Sequence, residues 1–185
     1  ADTASGAFRG VIDGWFYALE QDVLADVSVD ASDAEGLLLR TNALMEARLG
    51  AISKTAPAFS AVLRTYRRAL AAGDGMLADG LISWLAGQPN VAASIKRAAG
   101  IKGDLDHFGA TNFLVGLLTI LRDSGFSGLV MVLDEVETLQ RMRTDTREKG
   151  LNALRQWIDE IDAGRYPGLY LVITGTPAFY DGPQG

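Results

Sequence analysis

GLVMVLDEVETL, residues 128–139, runs five apolar residues, Leu129 to Leu133, straight into two adjacent carboxylates, Asp134 and Glu135. A continuous apolar run of this length, bounded by Gly128 and Asp134, predicts a strand buried on both faces, as in a parallel sheet. LYLVIT, residues 169–174, is a second run of the same kind. Between them lie the polar QRMRTDTREKG and then a helix carried by Leu151, Leu154, Trp157, Ile158 and Ile161, which Gly164 and Pro167 terminate. Strand, helix, strand predicts a βαβ unit, a parallel pair joined by a right-handed crossover. Two parallel strands make a poor sheet alone, so a further strand is expected from outside this stretch or from a second copy of the chain.

Upstream, residues 5–125 read as helix after helix. Phe8, Val11, Ile12, Trp15, Phe16, Leu19 and Val23 recur at the spacing of one helical face. Ser32 and Glu35 have the spacing of a capping box that would open a second helix on Leu38, Thr41, Met45, Leu49 and Ile52. Pro57 marks a break before Phe59, Val62, Leu63, Tyr66 and Leu70, and Gly73-Asp74-Gly75 predicts a turn. A fourth helix follows on Leu77, Leu81, Trp84 and Leu85, Pro89 is expected to open the next, and Leu105 to Leu121 carry the last. The fold class is therefore α/β: a mostly helical region, residues 1–125, followed by a parallel βαβ unit in residues 126–185.

The chain has 185 residues, 48% of them hydrophobic and 22% charged, a composition that folds. Seventeen basic against 23 acidic residues give a net charge of -6, which argues against broad non-specific nucleic-acid binding. Cysteine is absent, which excludes disulfides and thiolate metal sites and suits a cytoplasmic location. No apolar run approaches the roughly 20 residues that span a bilayer. The helix-like start and the mid-turn finish at YDGPQG lead us to expect an internal fragment of a longer protein.

Two readings compete for Asp134 and Glu135. A buried strand that ends in Asp-Glu delivers both carboxylates to the carboxyl edge of a parallel sheet, where ligands lie. There Asp134 can hold a magnesium shell and Glu135 can polarise the water that attacks a terminal phosphate. Acidic residues also open helices beside the positive end of the dipole. Thr174 and Thr176 lie at and just beyond the same edge of the second run, where a hydroxyl can reach a γ-phosphate or an attacking water. Alone, they would merely end a strand and turn the chain into Pro177.

Other chemistries find less support. Phosphate cradling needs Gly-x-x-x-x-Gly-Lys-Ser/Thr. Lys54-Thr55 is preceded by Ser53 in helical sequence, and Gly100-Ile101-Lys102-Gly103 opens no suitable helix, so these residues contain no such loop. The single histidine, His107, excludes a multi-histidine metal site, and Asp104, Asp106 and His107 read as the polar start of a helix. Lys96, Arg97 and Lys102, like Arg141, Arg143 and Arg147, read as solvated charge rather than nucleic-acid contacts or arginine fingers.

The segments SGAFRGVIDGW, GDLDHFGA, VLDEVETLQR and LNALRQWIDEIDAGRYPGLYLVITGTPAFYDGPQG together resemble the ATP-binding proteins of BREX-type bacteriophage-exclusion systems, a family of AAA+-like P-loop ATPases. LDEVETL and ITGTPAF are the most specific parts. The resemblance implies that Asp134 and Glu135 are a Walker B pair, with Asp134 holding magnesium through water and Glu135 catalytic. It implies a sensor at Thr174 or Thr176, and ATP and Mg2+ as cofactors. It also implies a Walker A loop N-terminal to this region, and makes residues 1–125 a helical insertion in the ATPase core. Partners would be other phage-defence proteins, with DNA and further copies of the chain as additional candidates. A helical protein- or DNA-binding module without catalysis is the alternative.

Overall fold

In the computed structural model, which describes residues 3–26, 30, 32–104 and 107–181, the apolar periodicity of the first 125 residues becomes six helices among the described residues. They are α1 (Thr3–Leu24), α2 (Ala34–Thr55), α3 (Pro57–Ala71), α4 (Gly75–Leu85), α5 (Ala93–Ala98) and α6 (His107–Asp123). The chain divides into two compact units, Ala1–Gly125 and Phe126–Gly185.

In the first unit the one-faced spacing of α1 places Ile12, Trp15, Phe16 and Leu19 in the core, none more than 3% exposed. Leu49 and Ile52 of α2, Leu63 and Tyr66 of α3, Leu81 and Leu85 of α4, and Leu118 and Ile120 of α6 complete it. A Cβ on Gly116 would lie 2.6 Å from the Phe59 ring and 3.3 Å from Ile52, so a larger residue would push α6 off α2 and α3. Phe59 also meets Phe113 edge-on at 4.8 Å. Pro57 sits in the first turn of α3, where its missing N–H costs nothing.

Two helix starts differ from the sequence reading. Asp33, not Ser32, caps α2, its carboxylate accepting the Gly36 N–H at 2.9 Å. Ser32 instead donates its N–H and hydroxyl to Asp30. Pro89 opens no helix, because Asn90 adopts a left-handed φ of 64° and α5 begins only at Ala93. Leu105, Asp106 and the side chains of His107 and Phe108 lie outside the described residues.

The second unit is built on β1 (Leu129–Leu133) and β2 (Leu169–Ile173). They pair in parallel from Leu129 opposite Leu169 to Leu133 opposite Ile173. A 3-10 helix (Val136–Arg141) and α7 (Thr144–Asp162) connect them, and α8 (Pro177–Asp181) follows. The helix thus starts well before Leu151, with Asp145 in its first turn beside the positive end of the dipole.

Burial on both faces does not hold. Ile158 and Ile161 of α7 line a groove with Leu169, Leu171 and Ile173, so the helix lies along one face and leaves it half-buried. On the other, Val130, Val132 and Tyr170 are 63%, 57% and 68% exposed. One crossover helix can cover only one side of a two-stranded sheet. No helix among the described residues is long and apolar enough to cross a membrane.

Candidate functional site

Parallel register brings the ends of the two strands together. The Thr174 N–H donates to the Leu133 carbonyl at 2.9 Å, and the Val136 N–H returns to the Thr174 carbonyl at 3.2 Å. Asp134 and Thr174, the first residues beyond β1 and β2, therefore emerge side by side at the carboxyl edge, where parallel sheets present their ligands. The Thr174 hydroxyl donates to Asp134 Oδ1, and the Glu135 N–H donates to the same oxygen at 2.9 Å. Oδ2 accepts no hydrogen bond among the described residues and is the atom left for a ligand.

Glu135 takes the left-handed conformation, φ 56° and ψ 43°. That geometry costs a non-glycine residue on the order of 1–2 kcal/mol. It turns the chain from β1 into the 3-10 helix and buries Val136, 7% exposed, beneath the turn. The Glu135 side chain is exposed and forms no hydrogen bond or ion pair among the described residues. The helix-start reading keeps its electrostatic part, since a carboxylate at a helix N-terminus is favoured by the dipole without a hydrogen bond, but a capping bond would require it to accept a first-turn amide. Glu135 occupies the N-cap without such a bond, and Asp134 bonds only the N-cap residue's own amide and Thr174.

Thr176 lies between β2 and α8, and its N–H donates to Glu137 Oε2 at 3.3 Å. Glu137 escaped the sequence reading. A third carboxylate two places after the pair was visible, but the contact with Thr176 depends on the register of the strands. Asp134, Thr174, Glu137 and Thr176 thus form one cluster, with the Glu135 backbone at its turn.

The remaining candidates stand apart from it chemically. Arg141 and Arg143 are exposed, and Arg143 approaches Asp145 only at 3.9 Å. Lys54 and Thr55 close a helix, so they cannot form a phosphate loop between a strand and a helix start. In the first unit, Lys96, Arg97 and Lys102 line one groove of about 350 Å3, with Lys96 tied to Asp104 at 3.1 Å. A larger cleft of about 500 Å3 between α1, α2 and α6 includes Trp15, Arg48, Arg122 and Asp123, and none of the candidate ligand-binding or catalytic residues named from sequence.

Among the described residues no three His, Asp or Glu side chains cluster as a metal cage. Magnesium does not need one in a nucleotide site, where one or two carboxylates and several waters join the substrate phosphates. The single free oxygen of Asp134 fits that requirement.

A protein-family profile described as BREX system ATP-binding protein BrxC/D matches residues 1–185. The chain belongs to this family. Neither a curated protein nor a solved structure gave a match. Membership in an ATP-binding family gives the paired strand ends a ligand class against which their geometry can be judged.

Proposed function

We propose that this chain supplies the hydrolytic half of a Mg-ATP site in an AAA+-like P-loop ATPase of BREX phage defence. The observation that carries the reading is the Asp134–Thr174 pair at the carboxyl edge of two parallel strands, in a chain of this family. Asp134 Oδ2 would hold magnesium through its water shell, while Oδ1 stays engaged with Thr174. Glu135, unpartnered and displayed by its left-handed turn, accepts a proton from the attacking water. The sensor role falls to Thr174 or Thr176, and while the Thr174 O–H stays on Asp134 Oδ1 the hydroxyl left to donate to a terminal phosphate is that of Thr176. Bound magnesium would neutralise charge on the phosphoryl oxygens during transfer.

In this reading the phosphate-binding loop comes from a segment preceding residue 1, and residues 1–125 are a helical insertion in the ATPase core. The exposed sheet face of Val130, Val132 and Tyr170 suits burial by other parts of that core. Action in the cytoplasm, with other BREX proteins as partners, follows from the same family role.

Glu135→Gln in the ATPase carrying its phosphate loop is the test. Hydrolysis should fall by a factor of roughly 100 or more with ATP binding retained. An unchanged rate with retained binding would remove Glu135 from the mechanism.

One observation favours a second reading, a helical module that contacts DNA or an acidic protein: the groove gathering Lys96, Arg97 and Lys102. Charge reversal at Arg97 and Lys102, both exposed, should then abolish salt-sensitive binding of duplex DNA. Binding that is absent in the unmodified protein, or unaffected by the reversal, would dismiss this role.

A further inference from the structure

The Gly175–Thr176 segment is held more tightly than a simple exit from a strand requires. Thr174 is fixed at its N–H, its carbonyl and its hydroxyl, by Leu133, Val136 and Asp134. A Cβ on Gly175 would lie 3.0 Å from Val136 Cγ2, 3.2 Å from Glu137 Oε2 and 3.4 Å from the Tyr180 ring, so the backbone is pressed from three sides. Tyr180 donates its hydroxyl to the Ile173 carbonyl at 3.2 Å, which seats the ring against the strand end. At the far end Glu137 Oε2 takes the Thr176 N–H.

Pro177 has no N–H, so the Thr176 amide is the last backbone donor before α8. Glu137 is the only side chain among the described residues that accepts it. Glu137, on the acidic turn, and Thr176, on the threonine segment, are 39 positions apart in sequence. The bond ties one to the other at their tips, where strand pairing has already ended.

We propose that Glu137 is a positioning residue of the ATPase site, an inference that rests on the ATPase reading above. It clamps the threonine-bearing segment onto the acidic turn, so that the Thr174 and Thr176 hydroxyls stand in one fixed relation to Asp134 and Glu135. It touches neither phosphate nor attacking water. Its contribution is an acceptor oxygen for the Thr176 amide, which a neutral amide side chain supplies as well.

The test compares Glu137→Ala, Glu137→Gln and Glu135→Gln in the ATPase carrying its phosphate loop, alongside hydrogen exchange at the Thr176 amide. Misplacement of reacting groups by about 1 Å costs on the order of 100-fold in rate. Glu137→Ala should therefore lower kcat by roughly 10- to 100-fold with KM for ATP unchanged, and should speed exchange at Thr176. Glu137→Gln should restore the slow exchange and most of kcat, whereas Glu135→Gln should stay inactive.

Glu137→Gln as inactive as Glu137→Ala would overturn the clamp and give Glu137 a role that needs its charge. Wild-type turnover in Glu137→Ala while Glu135→Gln is dead would overturn this inference alone. Wild-type turnover in Glu135→Gln would bring down the ATPase reading itself, and the inference with it. Unchanged Thr176 exchange in Glu137→Ala would remove the contact on which the clamp stands.

Discussion

Thr174 and Asp134, 40 positions apart in sequence, are joined by a hydrogen bond from the threonine hydroxyl to the carboxylate. The pair sits just beyond β1 and β2, where backbone hydrogen bonds through Thr174 already join the strand ends, so the hydroxyl should matter more to chemistry than to stability. Thr174→Val keeps the β-branched shape and deletes the hydroxyl. In the ATPase carrying its phosphate loop we expect hydrolysis to fall by roughly 10- to 100-fold. The melting midpoint should move by no more than about 2–4 °C, since a part-exposed hydrogen bond contributes about 1 kcal/mol. Thr174→Ser should recover most of the rate. Single-turnover phosphate release and a thermal melt on the same preparations would separate the two effects, and a large loss of stability with normal turnover would reverse the assignment.

What could be read in advance follows from how local the cause is. Ile12, Trp15, Phe16 and Leu19 declared a helical face because burial repeats with the helix period, and all four are in the core. Leu129 to Leu133 declared a strand, but hydrophobicity alone could not say how many layers would cover it, and Val130 and Val132 are exposed. Asp33 displaced Ser32 as the α2 cap because neighbouring polar side chains compete for the same amides, and Asp30 took the Ser32 donors. Asp134 and Glu135 were visible as a pair because they interrupt an apolar run. Glu137 was not, since its partner Thr176 is defined only by strand register.

Trp15 is fully buried, and its indole N–H donates to Asp123 Oδ2 at 2.7 Å. Arg48 reaches the other carboxylate oxygen at 3.2 Å. Asp123→Ala should cost about 1–3 kcal/mol, mostly because a buried donor is left without an acceptor. Asp123→Asn keeps an acceptor for the indole and should cost clearly less. Urea denaturation of the three proteins would decide it, and equal losses in both variants would assign the effect to the Arg48 ion pair instead.

Two glycines with different surroundings should respond in opposite directions to alanine. A Cβ on Gly128 would lie 2.1 Å from the Gly168 carbonyl oxygen, which accepts the Leu129 N–H at 2.8 Å. Gly128→Ala must therefore displace backbone at the first rung of the sheet, at a cost of about 1–3 kcal/mol. Gly14, exposed within α1, has nothing within 4 Å of the added atom. Gly14→Ala should stabilise the protein by about 0.5–1 kcal/mol through helix propensity alone. Amide exchange resolved by segment should show the first change at residues 128–133 and the second in α1. A destabilised Gly14→Ala would mean that this face of α1 is covered in solution.

Tyr66 links core packing to pH. It is fully buried, its hydroxyl donates to Asp13 at 2.8 Å, and Arg9 donates to it at 3.2 Å. Burial first, and then the bond to the Asp13 carboxylate, push its pKa up to about 12. Unfolded tyrosine titrates near pH 10, so the folded state holds this proton more firmly than the unfolded one. The corresponding stability is fully present below about pH 10 and is lost as pH rises toward about 12. The loss should reach about 2 kcal/mol. Tyr66→Phe cannot ionise, so other groups titrating in that range cancel when the two proteins are compared. Denaturant melts at pH 9, 10, 11 and 12 should show the wild-type stability falling relative to Tyr66→Phe across the last two steps. A difference that stays constant from pH 9 to 12 would mean that the hydroxyl is solvated in the folded protein, contrary to its place between Asp13 and Arg9.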